Sequence, residues 1–317
     1  MSGVVLEGAL AGAPLEYALP TKRPSLADAR AWCRKLATTH YENFHVATWF
    51  LPKKIRPYFE SIYAFSRSAD DLGDEVADRT TATRLLGEWR IMLQECYERP
   101  DLSMHPVFVA LHQTIVETGV PKQLFDDLIS AFEMDQVVTR HESLDSLIGY
   151  SKLSANPVGR LVLWVSGYQD EKRARLSDKV CTALQLANFW QDVVEDWERG
   201  RRYIPADQML RFGVTDEMIA DRRFTPEFRA MMVSLVDGTN AMLADGGRVA
   251  DVVDTELGVT LRLFEKGGLA ALQSIMQQDY DVLKQRPSVA KGTKILLLLS
   301  ASFAKMFSTL RVGQKAG

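Results

Sequence analysis

Apolar residues return at intervals of three and four along most of the chain, as in Ile62, Phe65, Ala69 and Leu72 or in Leu184, Ala187, Trp190 and Val194. That spacing gathers them on one face of an α-helix, and a chain that repeats it must bury those faces against other helices. Period-two runs rich in Val, Ile and Thr between Asn-Gly or Asp-Gly turns are nearly absent, so hairpins and alternating βαβ units are not expected. The expected architecture is all-α. Helix breaks are expected at Pro24-Ser25, Leu51-Pro52, Arg99-Pro100, Gly119-Val120-Pro121, Asn156-Pro157 and Gly200 to Pro205, with the loosest stretch from Ala206 to Phe228.

No Gly/Ser-rich or Pro-rich linker separates two compositionally different halves, and no solenoid-type repeat is present. The first twenty residues lack the basic start and apolar core of a signal peptide, the first lysine being Lys22. Residues 1–24 are therefore expected to form a mobile leader and residues 25–310 a single helical domain with a central active-site cavity. At 317 residues, with 46% hydrophobic and 25% charged residues, the chain can bury a large core. Its net charge of -3 gives no global field for nucleic acid, so any phosphate attraction must be local. Cys33, Cys96 and Cys181 stand far apart, which fits a reducing cytoplasm better than a zinc or redox motif. The longest aliphatic run, Ile295 to Leu299, is far short of the roughly 20 residues that span a bilayer. A soluble, cytoplasmic protein is expected, with transient contact at the inner membrane surface through the region from Ile295 to Phe307; a buried C-terminal helix explains the same pattern.

Two acidic segments break the apolar rhythm. In the first, Asp70 and Asp74 lie one turn apart on one helix face, with Asp71 and Glu75 beside them, Arg67 one turn before Asp71 and Tyr63 one turn before Arg67. Taken alone, this is equally the description of a solvated acidic helix end. In the second, Asn188, Asp192 and Asp196 follow i, i+4, i+8, while Phe189, Trp190, Val193 and Val194 occupy the other faces. Carboxylates on so apolar a helix are expected to line a cavity in a helical bundle and to need cations there. Oxygen-only donors without nearby His or Cys favour a hard ion, and Mg2+ characteristically binds one or two carboxylates together with water and phosphate. Arg67 before the first cluster and Arg201, Arg202 and Tyr203 after the second are placed to hold phosphate oxygens.

These paired segments, Asp70-Asp71-Leu72-Gly73-Asp74-Glu75 and Asn188-Phe-Trp-Gln-Asp192-Val-Val-Glu-Asp196, with Tyr63, Arg67 and Arg201-Arg-Tyr203-Ile-Pro205 around them, resemble the head-to-head prenyl synthases, the squalene/phytoene synthase family. The resemblance runs from about His40 to about Pro287. Within the family, Tyr41-Glu-Asn-Phe44, Ser154-Ala-Asn-Pro-Val-Gly-Arg160 and Asn188-Phe-Trp-Gln191 look most like the bacterial hydroxysqualene synthases of hopanoid biosynthesis. Presqualene and phytoene synthases usually have a small residue where Asn156 stands, and many carotenoid-forming relatives have Arg in place of Gln191.

The resemblance implies an isoprenoid-synthase helical bundle using two or three Mg2+ ions to ionise presqualene diphosphate, with water capturing the rearranged cation. The alternative within the family is condensation of two farnesyl diphosphates to presqualene diphosphate or squalene, and a remote one is a non-catalytic helical assembly factor. Implied pathway neighbours are a presqualene diphosphate synthase and a flavin-dependent squalene-forming oxidoreductase. By the same resemblance, Asp70, Asp74, Asn188, Asp192 and Asp196 are the metal ligands, and His40, Asn43, Arg67, Arg201 and Tyr203 hold diphosphate. Tyr63, Tyr150 and Tyr280 touch substrate or orient water, and Asn156 holds a water unless Asn156-Pro157 only shapes a helix break. Phe44, Phe65, Trp164 and Phe189 are candidate cavity walls that stabilise a carbocation by their faces, with core packing as the competing explanation.

Overall fold

The computed structural model describes residues 10–39 and 51–289. Every regular element among them is helical, apart from one isolated bridge between Arg140 and Arg202. His40, Asn43, Phe44 and the region from Ile295 to Phe307 lie outside the described residues. The chain divides into two compact units, one formed by residues 1–45 and 53–137, the other by 46–52 and 138–317.

The first unit contains α1 (Leu26–Thr39), α2 (Arg56–Asp74), α3 (Arg79–Glu98), α4 (Pro106–Thr118) and α5 (Gln123–Asp135). Local chemistry sets their ends. The Asp78 carboxylate caps α3 by accepting from the Thr81 amide at 2.9 Å, and α4 begins with Pro106 and stops at Gly119, whose φ of 64° few other residues adopt. Ile62, Phe65, Ala69 and Leu72 are all buried, as their spacing predicts. Phe65 sits among Phe125, Trp89 and Phe108, with ring centroids 5.0, 5.8 and 6.0 Å away. This cluster is the interior of the unit, so Phe65 is a core residue and not a cavity wall.

Residues 10–24, expected to belong to a mobile leader, are instead packed on this unit. Leu10 is buried and Tyr17 fully so. The Leu10 amide donates to Glu88 at 2.6 Å, Arg84 donates to the Ala11 carbonyl, and Arg23 donates to the carbonyls of Ser103 (3.0 Å) and Pro100 (3.1 Å). Nothing in the composition of the segment announces these long-range partners.

The second unit contains α6 (Leu144–Ser154), α7 (Asn156–Val165), α8 (Glu171–Gln191), α9 (Val193–Glu198), α10 (Ala206–Phe212), α11 (Asp216–Ala220), α12 (Pro226–Gly246) and α13 (Thr255–Gln277). The stretch read as loose thus holds two short helices, α10 and α11. Helix α8 is the centre of the unit, packed by α7, α12 and α13. Its approach to α12 is close at Gly246, where a Cβ would stand 2.7 Å from the Val180 nitrogen and 2.9 Å from the Leu176 oxygen. Backbone atoms cannot yield as a side chain does, so the contact requires glycine. Trp190, fully buried on α8, donates its indole N–H to Thr239 on α12 at 2.8 Å. No helix of the described residues is long and apolar enough to cross a membrane.

Candidate active site

In the first unit the acidic residues occupy the last turns of α2. Asp71 is buried; it accepts from the Tyr17 phenol and is gripped by Arg67 through Nε at 3.1 Å and through Nη2. The remaining arm of Arg67 reaches Asp70, Nη1 to Oδ2, at 3.0 Å. Asp70 is half-buried and Asp74 exposed. Burial pushes the Asp70 carboxyl up to about 7; Arg67 opposes the shift, while Asp74, Asp71 and Asp135 add to it. Asp135 is an acid that sequence reading missed. It ends α5 without a patterned neighbour, and it is brought near by Gln136, whose amide donates to the Gly73 carbonyl at 3.2 Å. Tyr63, one turn before Arg67, is half-buried and acts electrostatically on that guanidinium. Oxygens of Glu16, Asp71 and Glu75 also lie within 4.8 Å of one another.

In the second unit the expected straight run of i, i+4, i+8 is interrupted. Helix α8 ends at Gln191, Asp192 takes φ -99° and ψ 16°, and α9 starts at Val193. The amide bonds of Asp192 to the Asn188 carbonyl (2.9 Å) and of Asp196 to the Asp192 carbonyl (2.8 Å) persist across the kink. Asn188 is exposed, whereas Asp192 and Asp196 are half-buried. Burial raises the Asp196 carboxyl to about 7, with Asp192 and Glu195 raising it further and Arg199 and Arg201 opposing. Asp192 receives a hydrogen bond from Arg286, and Gln191 donates to the Ser274 hydroxyl at 3.1 Å and the Pro287 carbonyl at 3.0 Å. Arg286 and Pro287 are therefore part of this site. No local spacing signals them.

The two adjacent arginines do different things. Arg201 lies at Asp196, its amide donating to the Asp196 carbonyl at 2.8 Å. Arg202 instead donates to Asp216 at 2.8 Å, and its amide donates to the Thr139 carbonyl at 2.7 Å. Tyr203 is buried and stacked on Phe189, centroids 3.8 Å apart and planes 12° apart. Tyr150 lies 6.3 Å from both rings, and His141 stacks on Tyr203 at 5.9 Å. His141 belongs to this aromatic group, and burial lowers its basicity. Asn156 is buried at the start of α7 and accepts from the Thr182 hydroxyl at 2.9 Å. Trp164 is half-buried on α7. Tyr280 follows α13 with φ 66°, its ring 5.4 Å from the Arg229 guanidinium.

Both donor sets consist of oxygen atoms. Burial raises one carboxyl in each set, with neighbouring carboxylates adding to the shift, and grouped oxygen donors of this kind fit a hard divalent cation.

Comparison with known proteins accords with this geometry. Residues 37–293 match the squalene/phytoene synthase family. Hydroxysqualene synthases of Zymomonas mobilis and Rhodopseudomonas palustris are each 30% identical to the chain, over 84% and 85% of it and 89% of their own lengths. The crystal structure of a squalene synthase from Alicyclobacillus acidocaldarius superposes with a TM-score of 0.76 at 38% identity, covering 86% of this chain and 98% of that one. A dehydrosqualene synthase solved with a ligand shares the fold, with a TM-score of 0.78 at 22% identity over 87% of this chain and 96% of its own. The chain belongs to the squalene/phytoene synthase family and is an isoprenoid synthase.

Proposed function

We propose that the enzyme is a hydroxysqualene synthase: it ionises presqualene diphosphate and lets water capture the rearranged carbocation. The observation that carries this reading is the pair of oxygen-donor clusters, each with an arginine beside it: Arg67 at Asp70, 3.0 Å away, and Arg201 at Asp196, whose carbonyl accepts its amide at 2.8 Å. Asp70, Asp74, Asn188, Asp192 and Asp196 would hold Mg2+, two or three ions in all. When bound, Mg2+ supplies Lewis-acid stabilisation of the departing diphosphate.

Arg67 and Arg201 hold diphosphate oxygens. The carbon–oxygen bond breaks with its electron pair leaving on diphosphate, and fixed donors that stabilise this anion lower the barrier. Phe189 and Tyr150 present aromatic faces that stabilise the carbocation without reacting with it. Asn156 has its carbonyl oxygen engaged by Thr182, which leaves its amide N–H groups as the donors with which it would hold a water. That water forms the new carbon–oxygen bond, and its proton leaves with the released diphosphate. The identity of the relatives named hydroxysqualene synthase supports this product.

The test is product analysis by mass spectrometry after separate incubation with farnesyl diphosphate and presqualene diphosphate, each with Mg2+ and without nicotinamide. Hydroxysqualene from presqualene diphosphate is expected. Presqualene diphosphate formed from farnesyl diphosphate would move the enzyme to the condensing reaction, and turnover of neither would overturn the reading.

A further inference from the structure

We infer that Tyr17 is a positioning residue for the diphosphate-binding arginine Arg67, acting through Asp71, and that residues 10–23 are a buckle that holds it there. The inference rests on the proposed role of Arg67 in binding diphosphate. Three links carry it. The Tyr17 phenol donates to Asp71 Oδ2 across 54 residues of sequence. That oxygen also accepts from Arg67 Nε at 3.1 Å while Oδ1 takes Nη2, so both edges of the carboxylate are committed and the guanidinium plane is fixed. Nη1 is thereby directed to Asp70, 3.0 Å away.

A free arginine side chain populates many rotamers, and a ligand that binds it must first freeze them. Asp71 removes that freedom in advance, but only if its own carboxylate cannot rotate. Tyr17 supplies the constraint through its phenol on Oδ2. It is fully buried, and its ring packs edge-on to Trp32 at 6.3 Å. The segment carrying it is pinned at both ends, by Glu88 and Arg84 near Leu10 and by the carbonyls of Pro100 and Ser103 at Arg23. The ring packing and the phenol bond are separable, so Tyr17→Phe keeps the first and deletes the second.

The experiment is calorimetric titration of inorganic diphosphate, with Mg2+ present, into the full chain and into Tyr17→Phe, alongside thermal unfolding of each. Loss of an orienting hydrogen bond is expected to weaken diphosphate binding about tenfold, with kcat/KM falling in parallel. A folded Tyr17→Phe that binds diphosphate as the parent does, whatever its melting temperature, overturns the inference. Arg23→Ala tests it where Tyr17→Phe fails to fold: it loosens the buckle without touching the cluster, and about threefold weaker binding is expected, unchanged binding being the overturning result. A parent chain that does not bind diphosphate at all overturns the functional reading and this inference together, an outcome distinct from equal binding by parent and variant.

Discussion

Arg286 donates through Nε to the carboxylate of Asp192, 94 residues earlier in the chain, and lies 3.6 Å from Glu195. A guanidinium and a divalent cation compete for the same carboxylate oxygen. Arg286→Gln is therefore expected to strengthen Mn2+ binding in the absence of substrate severalfold, read by calorimetry. The pair is substantially exposed, so stability should change by less than about 1 kcal/mol. Weaker Mn2+ binding in the variant would mean that Arg286 shapes the site instead of competing for it.

Gln191 joins α8 to two distant partners through one amide nitrogen, Ser274 and Pro287. Gln191→Leu keeps the volume and strands both acceptors, at an expected cost of about 1–3 kcal/mol. Urea unfolding measures it. A neutral substitution would show that water satisfies the Pro287 carbonyl as well as the amide does.

The raised carboxyls of Asp70 and Asp196 give stability a pH dependence with a definite sign. Each binds a proton in the folded protein up to about pH 7, whereas in the unfolded chain it releases it near the ordinary aspartate value of 3.8. Between those values the folded state holds more protons than the unfolded one, so without divalent cations stability should fall as pH rises from about 4 to about 7 and then level off. Asp196→Asn should flatten part of that slope, which melting curves across pH would show. The same protons are released when a cation binds, so Mg2+ affinity should climb through the same window. A stability profile that rises between pH 5 and 7 in both proteins would contradict the assignment.

Phe65 is a packing residue, and its replacement should say so. Phe65→Ala is expected to cost about 3–5 kcal/mol in denaturant unfolding, while Phe65→Leu should leave product identity unchanged. Phe189→Leu, which removes the stack on Tyr203, is expected to alter the product distribution. A changed product from Phe65→Leu in a stable protein would restore the cavity-wall role to that residue.

Much of this was legible in the sequence because helices announce themselves locally. The spacing of Ile62, Phe65, Ala69 and Leu72 reports a buried face whatever it packs against, and Gly119 and Pro106 mark helix ends through their own backbone chemistry. Asp70 and Asp196 stood out for the same reason, acids set in an apolar rhythm. Tyr17, Asp135 and Arg286 did not stand out. Their roles arise from contacts with residues distant in sequence, and periodicity carries no information about which helix face meets which loop. The kink at Asp192 was equally hidden, since i, i+4 spacing reads identically in one helix or in two that share a hydrogen-bonded junction.

The order in which the chain leaves the ribosome gives the Arg286 contact a further meaning. The partners described for Asp70 all come from residues up to Asp135, whereas Asp192 and Gln191 also bond Arg286 and Pro287. Since units fold as they emerge, N-terminal first, one acidic cluster matures early in synthesis and the other only near its end. A chain truncated anywhere between residues 197 and 285 would carry every aspartate of both clusters and still leave the second one without its anchoring arginine.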